Sequence, residues 1–363
     1  MFSARHLFLN HIGQTTDHPL AIEIERAEGV FLYDTDGKDY LDLVSGVSVS
    51  NVGHRHPRVV EAIREQVDRH MHLLVYGELV QSPQVRFAEL LLDQLPKKFD
   101  NVYFVNSGSE ANEGALKLAK RYTGRTEIIG CHHAYHGSTH GVMSLMGEEK
   151  FRNPFRPLLP DVRYIQFNDD ADLQHITERT ACVMVEPIQA EAGIVLPKND
   201  YLKKLRKRCD DTGTLLIFDE VQTGFGRTGS LFAMLKYGVY PDIFTIAKAM
   251  GGGMPTGAFV ASKTIMDSLK QAPGLGHITT FGGHPVSVAA AHASLQVIIH
   301  EKLVEGATQK GERYMNNLSH PRIRDMWGTG LFIAVELEGQ ATAQQAMRAF
   351  ADNRLITDQF IFK

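Results

Sequence analysis

Short apolar runs punctuate the middle of the chain. Residues 102–105, 127–131, 163–167, 181–185, 215–218 and 243–246 are mainly apolar and bounded by polar or glycine-containing stretches. Runs of this length read as buried strands. Helical periodicity separates them. Pro57 opens a helix to about residue 70 that sets Val60, Ile63 and Val67 on one face. A second helix follows Pro83 and carries Val85, Phe87, Leu90, Leu91 and Leu95. Strand 181–185, helix 201–210 and the strand from Thr214 form a βαβ unit, which implies a parallel sheet.

The flanks read differently. Residues 1–18 are polar and irregular. Short strands at 21–30, 31–33 and 40–43 surround a turn at Asp36-Gly37-Lys38. This piece cannot bury a core alone, so it is expected to join the C-terminal part of the chain. There, long helices at 286–300 and on to about 318 precede strands at 330–337 and 356–360.

Composition narrows the class. A chain of 363 residues is too long for one minimal core, and two domains are the natural division. With 43% hydrophobic and 22% charged residues, it has an ordinary globular composition. A net charge of −4 gives no reason to expect nucleic-acid binding, and no apolar run is long enough for a membrane span. The N-terminal MFSARHLFLNHIG lacks a secretory pattern, so a cytoplasmic location is expected. Cys131, Cys182 and Cys209 are odd in number and widely spaced, which favours buried reduced thiols over a disulfide or a zinc site. His54, His56 and His70 lack carboxylates at useful spacing, as do His132, His133, His136 and His140; no metal is expected.

The candidate chemistry lies where strands end. Run 215–218 delivers Asp219 and Glu220; run 243–246 delivers Lys248, followed by Gly251, Gly252 and Gly253. Ligands of open parallel sheets bind beyond the carboxyl ends of strands. A lysine and an acid brought there together fit pyridoxal 5'-phosphate (PLP) chemistry, with a Schiff-base lysine and an acid on the pyridine nitrogen. Upstream, run 102–105 opens into Ser107-x-x-Glu110, a capping-box spacing that starts a helix. Gly108 and Ser109 lie in its first turn, where free amides and the helix dipole favour an anion.

The order Asp219, Glu220, Gln222, Gly224, Gly226, Arg227, Gly229, Lys248 and Gly251–Gly253 resembles the signature of class III aminotransferases, the ornithine, acetylornithine and 4-aminobutyrate type. The likeness extends from about Pro19 to the last residue. It implies an α/β fold of type I, with a large domain built on a mostly parallel seven-stranded sheet flanked by helices and a small α+β domain. The implied division is 1–45 in the small domain, 46–285 as the large PLP-binding domain and 286–363 in the C-terminal small domain. It implies PLP as cofactor and a homodimer with active sites at the interface. Lys248 and Asp219 become the catalytic pair. Gly108 and Ser109 hold the phosphate, Tyr135 stacks on the ring, Gln222 bonds the ring's 3-oxygen, and Thr280 reaches a neighbouring subunit's phosphate. Glu191 matches a glutamate that interacts with a substrate-binding arginine, while Glu186 is expected to orient the site's floor.

Two departures bear on substrate. Ornithine and acetylornithine members carry an arginine where this chain has Ser138, and a hydroxyl cannot replace bidentate charge pairing. Arg152 is a candidate substitute. Family members also continue beyond the point matching Lys363, so the small domain is expected to be truncated and activity or solubility low. Three functions fit. The first is transfer of an amino group from an ω-amino acid or amine to a 2-oxo acid such as 2-oxoglutarate. The second is another PLP reaction on this scaffold, such as that of a racemase, aminomutase or decarboxylase. The third is non-catalytic PLP binding.

Overall fold

The computed structural model describes residues 2–74, 77–271, 273–360 and 362. The chain opens on a helix, Ala4–His11, where the sequence reads as irregular. Ser3 caps it by accepting from the His6 amide at 3.2 Å, and none of its residues is buried. A local cap, with no buried face, makes this helix, so hydrophobic periodicity carries no signal for it. Strands β1 (Ile24–Glu28), β2 (Phe31–Asp34) and β3 (Asp39–Asp42) follow as an antiparallel meander. β1 is shorter than the expected 21–30.

The central sheet holds β4 (Asn101–Val105), β5 (Glu127–Cys131), β6 (Val162–Ile165), β7 (Thr180–Val185), β8 (Leu215–Asp219), β9 (Ile243–Ile246) and β10 (Gly257–Ala261). Its order is β4-β10-β9-β8-β7-β5-β6. Neighbours from β9 to β6 are parallel, and β10 runs antiparallel to both β9 and β4. Every residue of β5, β7, β8, β9 and β10 is buried, which explains runs that are apolar throughout instead of alternating. Alternate side chains feed two cores. Leu216, Phe218, Val183, Val185, Phe244 and Ile246 enter one, while Ile217, Cys182, Met184 and Ile243 enter the other. The helix Gly108–Thr123 covers the second core with Ala111, Ala115, Leu118 and Ala119. Helices Tyr201–Thr212 and Pro285–His300 cover the first. The three cysteines are free and buried.

The helix Pro57–Arg69 differs from its sequence reading by a rotation of its inner face. Val59 and Gln66 are buried, whereas Val67 is exposed. Val59 packs against Ala290 and Ala293 of the helix Pro285–His300, and that neighbour decides the face. The next helix, Ser82–Leu92, buries Phe87 and Leu91 but exposes Val85.

At the C-terminal side, helix Leu303–Asn317 leads to β11 (Ile323–Thr329) and β12 (Phe332–Leu337), an antiparallel hairpin of which the sequence reading found one strand. The helix Gln340–Asp352, also not anticipated, leads to β13 (Leu355–Ile356), shorter than the expected 356–360. β13 pairs in parallel with β3, so the first and last segments of the chain share one sheet, order β1-β2-β3-β13. Among the described residues no helix is long and apolar enough to cross a membrane.

Candidate active site

Strands β7, β8 and β9 run side by side in one direction, so their carboxyl ends open on one edge of the sheet. That edge receives Glu186, Asp219 and Lys248. β4 points the same way, because it and β9 both lie antiparallel to β10. It delivers the helix Gly108–Thr123 to the same edge. Ser107 caps this helix, accepting from the Glu110 amide at 3.2 Å. Glu110 reaches back to the Asn106 amide at 2.7 Å, one residue beyond the usual capping-box partner. The first amides, at Gly108 and Ser109, have no acceptor within their own turn.

Two glycines record how closely this edge is packed. A Cβ on Gly108 would lie 2.9 Å from Val221 Cγ1 and 3.6 Å from Ala247 Cβ. The helix end therefore abuts the residues that follow Asp219 and precede Lys248. Gly137 sits at φ +121°, and a Cβ there would fall 2.1 Å from Ser109 Oγ. The loop after β5 thus lies directly on the helix end.

Asp219 is buried and accepts three hydrogen bonds. Its Oδ2 receives Asn112 Nδ2 at 2.8 Å and His136 Nδ1 at 2.8 Å, and its Oδ1 receives the Val221 amide at 3.0 Å. Asn112 Nδ2 also donates to the His136 carbonyl at 2.8 Å, while its Oδ1 accepts from Thr245 Oγ1 at 2.6 Å. Burial works against a charged imidazole at His136, but the Asp219 contact outweighs it and raises the histidine's pKa. His136 Nε2 is buried without a protein partner.

Lys248 has φ +48°, an uncommon value for a residue with a side chain and one often met at functional sites. Burial lowers the pKa of its amine, against the opposing pull of Glu191, Asp219 and Glu186. Asp219 stands in register with Thr245 on β9, three residues before the lysine. Glu186 accepts from the Tyr135 amide at 2.9 Å and the Ala190 amide at 3.0 Å, fixing the loop that carries the aromatic ring. Burial pushes its carboxyl up to about 7. Glu220, which the sequence places beside Asp219, points elsewhere. It is fully buried and accepts from the Ala233 and Met234 amides at 2.9 and 2.7 Å, and from the Thr223 hydroxyl.

The remaining candidates are placed as follows. Tyr135 is half-buried, and its hydroxyl meets exposed Ser138 Oγ at 3.1 Å. Gln222 Nε2 donates to Glu191 Oε1 at 3.1 Å, joining two residues expected to serve cofactor and substrate. Thr280 is exposed on the loop before the helix Pro285–His300, and its neighbour Thr279 accepts from Asn106 Nδ2 at 3.0 Å. Arg152 does not substitute for the missing arginine. Its guanidinium is held by Glu149 at 2.8 Å, bonds the Tyr164 hydroxyl and lies 4.3 Å over the Tyr164 ring. His54 pairs with Asp42 at 2.8 Å and His56 with Glu301 at 3.3 Å, so both are already engaged. The sequence reading missed Asn112 and Thr245. Each is a polar residue inside an apolar element, at positions where the periodicity demands burial, and that conflict was the available signal.

An amine on a partly buried lysine, a buried carboxylate with acceptor capacity left on Oδ1, free helix amides and a flat aromatic face match PLP group by group: aldehyde, pyridine nitrogen, phosphate and ring. The comparisons agree. The sequence family described as aminotransferase class III matches residues 12–360. The acetylornithine aminotransferase of Methanocaldococcus jannaschii is 42% identical over 334 residues, which cover 88% of this chain and 81% of the relative. The [LysW]-aminoadipate semialdehyde/glutamate semialdehyde transaminase of Sulfolobus acidocaldarius is 38% identical, covering 88% and 82%. Among solved structures, the ornithine aminotransferase of Toxoplasma gondii, seen with PLP at partial occupancy, superposes with a TM-score of 0.91 at 29% identity, covering 99% of this chain and 86% of that one. The family's pattern runs through the sheet that carries Lys248 and through the segments on either side of it, and the chain belongs to the class III aminotransferases, the PLP-dependent transaminases.

Proposed function

We propose that this aminotransferase moves the terminal amino group of an ω-amino acid or amine, of the ornithine, lysine or 4-aminobutyrate kind, to a 2-oxo acid such as 2-oxoglutarate, with Lys248 and Asp219 as its catalytic residues. The observation that carries the assignment is that β8 ends on a buried, triply hydrogen-bonded Asp219 beside Thr245 of β9, three residues before the partly buried Lys248, whose amine pKa burial lowers. Bound PLP supplies the electron sink. Lys248 holds the cofactor covalently and, once displaced, moves a proton at the substrate carbon. Its depressed pKa provides the neutral amine at lower pH than a free lysine would. Asp219, held by three donors, serves the ring nitrogen through Oδ1. The Gly108 and Ser109 amides hold the phosphate, and Tyr135 covers one ring face. Gln222 spends one amide hydrogen on Glu191 and keeps the other for the ring oxygen.

Relatives named for acetylornithine and for aminoadipate semialdehyde support an ω-amino donor. Ser138, together with an Arg152 already committed to Glu149 and Tyr164, favours donors that need no carboxylate clamp at that position. The same relatives argue against racemase, aminomutase and decarboxylase outcomes.

We further read the enzyme as a cytoplasmic homodimer, with residues 1–45 and 286–363 forming the small domain and 46–285 the large one. The shared β3–β13 pairing supports that division. Exposed Met71, Leu74, Val80, Ile278 and Phe281 support a covering second copy, and the His72 and Phe281 rings, 5.0 Å apart, join the two segments into one patch. A second copy on this patch brings Thr280 to its partner's phosphate.

The test is a donor panel with 2-oxoglutarate, read as glutamate formed. Wild type is expected to turn over ω-amines, and borohydride to fix PLP on Lys248 in a peptide map. Lys248→Ala is expected to lose at least about 1,000-fold in rate. Turnover of Lys248→Ala at the wild-type rate defeats the assignment.

A further inference from the structure

Asn112 lies four residues into the helix Gly108–Thr123, on the same face as Gly108. Gly108 packs against Val221 and Ala247; Asn112 bonds Asp219, the His136 carbonyl and Thr245. One helix face therefore touches the chain on both sides of the proposed catalytic pair. The residue is 1% exposed.

Its amide has one permissible orientation. Nδ2 faces a carboxylate and a carbonyl, both acceptors, at 2.8 Å each. A flipped amide would set three acceptor oxygens together in a buried site, an arrangement the chemistry forbids. Thr245 enforces the choice, because its hydroxyl donates to Oδ1 at 2.6 Å. Thr245 lies on β9, three residues before Lys248. Both hydrogens and an oxygen of this amide are thus used, by the acid, by the loop that carries Tyr135 and by the strand that leads to Lys248.

We propose that Asn112, oriented by Thr245, is a positioning residue for the cofactor. It fixes the Asp219 carboxyl so that Oδ1 is left for the ring nitrogen, and it ties that acid to the helix end proposed to hold the phosphate and to the aromatic loop. The inference rests on the PLP site described above, but it concerns a residue that touches only protein. It also predicts a particular response to charge. In Asn112→Asp, which is nearly isosteric, a second carboxylate faces Asp219 when ionised. When protonated, the same group donates its single hydrogen to Asp219, and only the His136 carbonyl loses its donor. His136, 2.8 Å from the same Asp219 oxygen, and Glu186 and Lys248, whose charges act on this cluster, are present in wild type too. The ratio of variant to wild type at each pH therefore isolates the added carboxylate and gives a pH-dependent defect that a packing defect would not.

The experiment titrates PLP into apo-protein at about pH 6 and pH 8, alongside urea unfolding of each apo form. The wild-type titration tests the cofactor reading by itself, and the variants are read as ratios to it. Asn112→Asp is expected to raise the Kd for PLP about tenfold or more at pH 8 and to recover most of that loss at pH 6. Thr245→Val is expected to raise it about threefold at both pH values, with the apo urea midpoint little changed. Binding by Asn112→Asp within twofold of wild type at pH 8 overturns the proposal. So does a loss equal at both pH values that tracks a fall in the apo urea midpoint, which marks a purely structural residue. If Asn112→Asp does not fold, Thr245→Val decides: unchanged PLP affinity in that variant overturns the proposal.

Discussion

At the residue scale, this site is built by burying charge and then supplying donors for it. Glu220 shows the cost. Burial pushes its carboxyl up to about 7, with Asp219 adding a smaller rise, even though two amides and a hydroxyl bond to it. Its folded pKa lies above the unfolded value of 4.5, so the native state holds the extra proton between those two values. Stability from this group is therefore greatest at the acid end of that window and falls as pH rises toward about 7. Glu220→Gln removes the slope. It also turns an amide group toward backbone N–H donors, at a cost of about 1–3 kcal/mol. The expected result is that the urea midpoint of wild type falls relative to the variant's between about pH 5 and pH 7.5. Parallel midpoints across that range would show that the carboxyl does not titrate there.

At the element scale, the end of one helix and the loop after β5 are pressed together because the loop carries no side chain where it meets Ser109. Gly137 satisfies two demands, φ +121° and a Cβ position 2.1 Å from Ser109 Oγ. A methyl there must move either the loop that carries Tyr135 or the first turn of the helix Gly108–Thr123. Gly137→Ala is expected to cost about 1–3 kcal/mol in apo-protein stability and about tenfold or more in PLP affinity. A calorimetric PLP titration with unchanged affinity would show that the loop relaxes without disturbing the site. The helix Pro57–Arg69 teaches a related lesson. Its length and start follow from Pro57, yet its buried face belongs to Val59 and Gln66, because Ala290 and Ala293 wait on that side.

At the scale of the whole molecule, Phe281 and Val80 are large apolar side chains left exposed, and Phe281 stands beside His72 with ring centroids 5.0 Å apart. Phe281 is 54% exposed and Val80 94%. Covered by a second copy, the patch becomes an interface, and the loop with Thr280 becomes part of a partner's site. Phe281→Asp is expected to shift the enzyme toward monomer in sedimentation velocity and to weaken PLP binding, since Thr280 then has no partner to reach. A wild-type protein that sediments as a monomer at micromolar concentration removes the dimer from this account.

The order of residues was enough to place six of the seven central strands, because buried strands must be apolar on both faces and their neighbours must turn, but it did not mark Gly257–Ala261 or Ile323–Thr329. It was also enough to set Asp219 and Lys248 at neighbouring strand ends and Gly108 and Ser109 at a helix start, because those positions follow from local pattern. It could not reveal that Glu220 turns away to hold a helix, that Arg152 is spent on Glu149 and Tyr164, or that Asn112 joins the acid to Thr245. Those outcomes depend on which groups lie within about 3 Å across the fold. A hydrogen bond between residues more than a hundred positions apart leaves no periodic trace in the sequence. Only the packed sheet, with β7, β8 and β9 ending side by side against one helix, decides which buried polar groups find each other.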